Sequence, residues 1–379
     1  MSGIYLHIPF CKQACHYCDF HFSTSMRRKE EMLNAMVREI GMRKNEFAIA
    51  DQPKSTVETI YFGGGTPSLL EPHEIEQIIA CIQENFDIHS EAEITLEVNP
   101  DDLEKARIEE LANTPVNRLS LGIQSFRDED LEFMNRAHNR DQALTSLETA
   151  CNFFENISID LIYGIPGLDL KAWKANLKQA FEFPIQHISS YALTVEPKTA
   201  LDHFIRSGKC EAPDEEEARI HFEALMEESA KQGFTHYEVS NFAREGFFSR
   251  HNTSYWQGKP YLGIGPSAHS YSGRTRSWNV NNNAKYLKGV EMGHLVREVE
   301  NLSEIDRINE TIMTGLRTIW GLSLGSFEKE FGSNYAKKLK KRADRFVSEG
   351  LLEVESERLR ATKAGFFLVD GIASDLFVD

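Results

Sequence analysis

No apolar run in this chain approaches the ~18 residues that a membrane-spanning helix requires. A basic start followed by an apolar stretch is also missing. Instead "MSGIYLHIPF" runs straight into a strand-like segment, which predicts no secretory leader. A soluble, cytoplasmic protein is expected. Basic residues are in deficit, 42 Lys and Arg against 58 Asp and Glu, for a net charge of −16. Nucleic-acid binding needs a clustered basic surface, so no nucleic-acid partner is expected. The local run "KKLKKR" (337–342) reads as a solvated helix face. Cysteines are few, six in all. Cys81, Cys151 and Cys210 are scattered, which indicates no disulfide framework. Internal repeats and low-complexity segments are absent. What remains is a globular composition, 41% apolar and 26% charged, long enough for two or three domains.

Six short segments read as buried strands: 3–8, 57–62, 92–98, 117–123, 157–163 and 187–195. Each is rich in β-branched or aromatic residues. Helical spacing lies between them. Ile75, Ile78, Ile79 and Ile82 fall on one stripe of 73–86. In 212–233 a proline and acids mark a helix start and a glycine its end, with Ala218, Phe222, Leu225 and Met226 toward the core. Alternating strands and helices predict a parallel sheet. Unusual residues cluster just after each strand: Cys11 to Cys18, "GGGTP" (63–67), Glu97 and Asn99, Gln124, "GIPG" (164–167), then Glu196 and Pro197. Loops at the C-terminal ends of strands form the active face of β/α barrels. The expected fold is therefore α/β, an incomplete (β/α)6 barrel over residues 1–240.

Composition changes after about residue 240. The stretch 250–283 reads as an aromatic, glycine-rich loop within an extension, 241–300. A last unit, 301–379, reads as mostly helical and winged-helix-like. It has helices at 303–319 and 327–349 and a hairpin turning at Glu355–Glu357. Given the acidic total, it reads as a lid or partner surface.

The densest chemistry is "CKQACHYCDF" (11–20), with Cys11, Cys15 and Cys18 spaced C-x3-C-x2-C. Thiolates suit zinc, copper(I) and iron–sulfur clusters. A closed zinc site needs a fourth ligand, and His7, His16 or His21 could supply it. A cubane [4Fe–4S] cluster instead takes the trio on three irons and leaves the fourth open to an exogenous ligand.

Together with "GGGTP", "GIQSF" and "DLIYGIPG", this segment resembles the signature of the radical S-adenosylmethionine (SAM) enzymes. The resemblance implies that the amino acid end of SAM chelates the open iron, and that an electron passed through the cluster cleaves the sulfonium. It implies a low-potential electron donor. Bare backbone suits the methionyl end, and Gly63, Gly64, Gly65 and Thr66 match it. Arg136 in "MNRAH" matches the partner of the SAM carboxylate. Glu97, Gln124 and Asp160 match further polar contacts. Tyr5 and Tyr17 match aromatic positions flanking the cluster and adenosyl group. Ala192 and Ala268 follow from local likeness of "YALTVEP" and "GIGPSAHS".

"YLHIPFCKQACHYCDF" looks like the subfamily of oxygen-independent coproporphyrinogen III oxidases and their relatives, over essentially the whole chain. That subfamily contains the oxidase, a decarboxylase, and a haem-binding branch regarded as haem chaperones. The oxidase pattern carries a cysteine two residues after the third ligand, where this chain has Phe20. It also carries an N-terminal arm ahead of the first strand, and Cys11 stands only ten residues in. "HNTSYW" (251–256) matches the HNxxYW motif of the haem-binding branch. The resemblance thus implies haem as a further ligand and a haem-accepting protein as partner. His251 is the expected iron ligand, His269 its rival, Tyr255 and Trp256 an aromatic wall, and Arg250 a propionate partner. The alternative is the oxidase with the same cluster and SAM.

Overall fold

A computed structural model describes residues 2–46 and 56–378. Fifteen strands are described: β1 Ser2–Ile8, β2 Thr56–Gly64, β3 Asp87–Val98, β4 Arg118–Gln124, β5 Asn156–Tyr163, β6 His187–Ala192, β7 Thr235–Glu238, β8 Asn241–Ala243, β9 Tyr261–Ile264, β10 His269–Tyr271, β11 Thr275–Asn279, β12 Arg297–Asn301, β13 Leu322–Ser323, β14 Leu352–Glu355 and β15 Arg358–Ala361. The six expected strands are β1 to β6, parallel and in sequence order. The sixth stops at Ala192 rather than at 195.

Period-two alternation explains why these strands are buried on both faces. One face is apolar: Ile4, Leu6 and Ile8, then Ile60 and Phe62, Ile94 and Leu96, Leu119 and Leu121, Ile157 and Ile159 are all buried. They pack under helices such as Pro72–Asn85, whose stripe Ile75, Ile78, Ile79 and Ile82 is buried as expected. In helix Glu215–Lys231, Ala218, Phe222, Leu225 and Met226 are buried too. The other face is polar. Register places Tyr5 beside Tyr61, Tyr61 beside Thr95, Thr95 beside Arg118, Ser120 beside Ser158, and Asp160 beside Ser189.

The sheet does not end with the six. β9 pairs in parallel with β1, and β10, β11 and β12 continue antiparallel; β8 and β7 extend the other side. The result is one twelve-stranded sheet. The stretch 250–283, expected as a loop, is instead helix Arg250–Trp256 followed by three strands. Distant groups build that helix. Ser249 caps it through its hydroxyl, and the Glu93 carboxylate on β3 accepts the backbone N–H of Arg250 and of His251. A carboxylate at a helix N-terminus satisfies donors that have no partner within the helix.

The C-terminal unit runs helix Glu304–Leu316, β13, helices Leu324–Phe331 and Ser333–Ser348, β14, β15. Its strands pair in the order β13-β15-β14. The single helix expected at 327–349 is two, broken at Gly332, whose φ of +90° no helix accommodates. The hairpin turns where expected, with Ser356 and Glu357 both at positive φ, as a two-residue turn requires. Lys337, Lys338, Lys340, Lys341 and Arg342 are exposed, the solvated face read from the sequence. Among the described residues no helix is long and apolar enough to cross a membrane.

Candidate functional site

The C-terminal ends of β1 to β6 surround a cavity of about 440 Å³. The loop that carries the cysteines is fastened to its neighbours at several points. The Cys11 N–H donates to Ser23 O (3.1 Å), and the His16 N–H to Met134 O (3.0 Å). The Gln13 amide donates to Asn135 O, and the Asn135 amide returns a bond to Ala14 O at 2.7 Å. Lys12 pairs with Asp101 and Asp102 in the loop after β3. These contacts aim three free thiols, Cys11, Cys15 and Cys18, at one cavity. Burial raises the Cys11 thiol, and pushes that of Cys18 up to about 11. A bound cation would reverse that preference, because metal ligation requires the thiolate.

The histidines weighed as a fourth zinc ligand are engaged elsewhere. His7 bonds with the His21 carbonyl at 2.8 Å, His16 with the Phe133 carbonyl, and His21 with Asn283. None of the three lines the cavity among its described residues. The donor set is three sulfurs, which suits a cluster with one open corner.

The cradle beside the sulfurs fits a ligand that needs bare backbone. A Cβ on Gly65 would stand 2.5 Å from Phe10 O, and one on Gly64, where φ is +106°, 2.7 Å from the His7 ring. Arg136 lines the cavity. It donates to Asn99 Oδ1 at 2.7 Å, to Gly122 O at 2.9 Å and toward Cys15 Sγ at 3.4 Å. Its buried Nε has no partner, and these bonds leave donors over for an incoming carboxylate. Glu97 accepts from Tyr61 Oη at 2.7 Å, and Asp160 from Ser120 Oγ at 3.3 Å. Burial pushes Glu97 up to about 7 and Asp160 up to about 6. Gln124 ends β4 at a φ of 64°, a left-handed backbone of the kind that gathers at functional sites.

Of the expected SAM residues, Tyr17, Gly64, Gly65, Thr66, Glu97, Gln124, Arg136, Asp160 and Ala192 line this cavity with the cysteine trio. Tyr5 does not. It lies one layer deeper on the concave face, its ring stacked on Tyr61 and its hydroxyl 3.3 Å from His7 Nδ1. Ala268 is buried outside the lining, in the turn between β9 and β10. Asn99 and Tyr191 are among the lining residues that the sequence did not mark as ligand contacts. Asn99 accepts from Arg136 and donates to Thr66 Oγ1, and its signal was the asparagine before proline at a strand end. Tyr191, 44% exposed at the rim, carried no motif.

His251 is 1% exposed and lies outside the lining of this cavity. Nδ1 is 2.7 Å from Thr59 Oγ1, Nε2 is 2.6 Å from the Tyr255 hydroxyl, and the ring stacks on Tyr61. Both ring nitrogens are thus hydrogen-bonded. Burial lowers its pKa to about 3. Arg250 is likewise engaged, with Glu91 O. His269 is exposed and stacked beside Trp278.

Residues 5–180 match the Radical SAM superfamily, and residues 302–368 match the HemN C-terminal domain. The heme chaperone HemW of Bacillus subtilis (strain 168) is 36% identical over 336 residues, 88% of this chain and 87% of that protein. The heme chaperone HemW of Lactococcus lactis subsp. lactis (strain IL1403) is 34% identical over 379 residues, covering 100% of this chain and 98% of its own. Among solved structures, coproporphyrinogen III oxidase (HemN) from Escherichia coli, a radical SAM enzyme, superposes with a TM-score of 0.84. It has 24% identity and covers 99% of this chain and 90% of that one.

Proposed function

The chain belongs to the HemW family within the radical SAM superfamily, and on that premise we propose that it binds haem and passes it to an acceptor protein rather than decarboxylating a porphyrinogen. Superfamily membership brings a [4Fe–4S] cluster and SAM. Cys11, Cys15 and Cys18 would hold the cluster. The Gly64–Gly65 backbone and the free Nε of Arg136 would take the amino acid end of SAM, and Glu97 and Asp160 its polar groups. Bound there, the pair supplies reductive cleavage of a sulfonium. The chain's own residues hold, orient and shield it.

The observation that favours carriage over decarboxylation is the charge of the cavity. Among its described lining residues Arg136 is the sole cation, against the carboxylates of Asp19, Glu97, Asp160 and Glu196. Coproporphyrinogen is a tetracarboxylate. Entering this mouth it would meet like charge at close range, with no guanidinium left to pair with it. Phe20, 65% exposed at the same mouth, adds apolar surface and no countercharge.

The test sets the two readings side by side. Anaerobically reconstituted protein is titrated with haem, and separately supplied with coproporphyrinogen, SAM and a low-potential reductant. The expected result is a Soret band on titration and no carbon dioxide from the porphyrinogen. Stoichiometric carbon dioxide with protoporphyrinogen would make the oxidase reading the correct one.

A further inference from the structure

Alternate residues of β4 go to opposite sides of the sheet. Leu119, Leu121 and Ile123 join the apolar core. Of the other set, Ser120, Gly122 and Gln124 line the strand-end cavity. Arg118 begins the same face, toward the base of the barrel, and is 1% exposed. Its register neighbours are Thr95 on β3 and Asn156 on β5. These neighbours do not engage it fully. Arg118 Nε, Thr95 Oγ1 and Asn156 Oδ1 are all buried without a hydrogen-bond partner among the described residues. A guanidinium held this far from water is costly unless opposite charge compensates it.

Few groups around the interior can do so. Burial raises the phenols of Tyr5, Tyr61, Tyr237 and Tyr255 and lowers the imidazoles of His187 and His251. All of them are neutral near pH 7, as is the phenol of Tyr191 at the rim. The carboxylates are Glu93, Glu97 and Asp160, and the cations are Arg118 and Arg136. Glu93 is engaged with the backbone N–H groups of Arg250 and His251. Arg136 is engaged at the other end of the cavity, with Asn99, Gly122 and Cys15. That leaves Arg118 opposite Glu97 and Asp160. Ser120, two residues along the same face, holds Asp160 at 3.3 Å. Burial pushes Asp160 up to about 6, and Arg118 is the strongest influence drawing it back.

Resting on the assignment of SAM to this cavity, we propose that Arg118 is the buried counter-cation of Glu97 and Asp160. It is a positioning residue, acting on the ligand only through those two carboxylates. They line the cavity, and the guanidinium lies beneath them. An ionised carboxylate accepts hydroxyl and ammonium donors on both oxygens and attracts a sulfonium cation. A protonated one loses that charge and part of its accepting capacity. This role differs from that of Arg136, whose donors go to the ligand itself.

The test compares anaerobically reconstituted parent, Arg118→Gln and Arg118→Lys by equilibrium SAM binding between about pH 6 and about pH 9. Iron and sulfide are counted on each sample. The ionisations of SAM itself are common to all three and cancel in the comparison. Affinity of the parent is expected to rise with pH as the two carboxyls ionise. Without the counter-cation their ionisation is harder, so in Arg118→Gln the rise moves up by about one pH unit. SAM then binds about tenfold more weakly than to the parent at about pH 7, and within about twofold of it at about pH 9. Arg118→Lys keeps the charge and is expected to keep the parent's midpoint. A loss equal at every pH in Arg118→Gln, or an unmoved profile, overturns the role of Arg118 and leaves SAM in the cavity. If that variant assembles no cluster, the lysine variant decides: the parent's midpoint upholds the role, and a midpoint displaced upward overturns it. A parent that binds no SAM at any pH overturns the assignment of the cavity, and the role of Arg118 with it.

Discussion

Two cavities of this molecule are similar in size and opposite in character. The one at the strand ends, about 440 Å³, sets one arginine against four carboxylates and is edged by glycine backbone. The other, about 550 Å³, lies at the seam between the large sheet and the C-terminal unit; it sets three arginines against two carboxylates and is walled by aromatic rings. Both belong to a chain of net charge −16. Net charge governs solubility and long-range steering; it does not say which ligand a given hollow admits. The acidic cavity suits a sulfonium cation with an ammonium group, whereas the charge balance at the seam runs the other way.

Substitutions confined to one cavity sharpen that contrast. Cys15→Ser is expected to have the largest effect, with iron and acid-labile sulfide falling to background after anaerobic reconstitution.

Next comes a pH effect at the seam. Glu238 is 1% exposed, and burial pushes its carboxyl up to about 7. It ends β7, bridged to Thr318 of the C-terminal unit. A carboxyl whose folded pKa lies above its unfolded value stabilises the fold most at low pH. That contribution fades as pH rises from about 4.5 through about 7. Its size is about 3 kcal/mol at most. Denaturant melts at pH 5 and pH 8 should show the decline in the parent and its reduction in Glu238→Gln.

Arg136→Met should have the smallest of the three effects. SAM affinity should fall about tenfold to a hundredfold, the worth of a charge-assisted hydrogen bond. Equilibrium binding measures it, and an unchanged constant would remove Arg136 from the site.

Much of the acidic cavity was legible before any coordinates. The cysteine spacing, the glycine run and the polar residues at strand ends are local signals, and their strands are short, β-branched and well punctuated. The inward face of those strands was harder to see. "RLSLGIQ" alternates leucine and isoleucine with arginine, serine, glycine and glutamine. Read only as a buried strand, it hides that Arg118 and Ser120 face a polar interior. The seam was less legible still. Helix Arg250–Trp256 is too short to announce itself by periodicity, and part of its N-terminal support comes from Glu93, more than a hundred residues away. The packing of His251 was hidden for the same reason: a motif names a residue type, but only the fold shows what both of its nitrogens bond to.

The position of His251 has one more consequence. Glu97 lines the acidic cavity and accepts from Tyr61; Tyr61 stacks on His251; His251 bonds to Tyr255, which lines the seam. Four side chains therefore run from one hollow to the other through the middle of the barrel. A ligand that shifts Glu97 at one end bears on the Tyr255 ring at the other through this row of contacts, and any such coupling between two binding free energies is reciprocal.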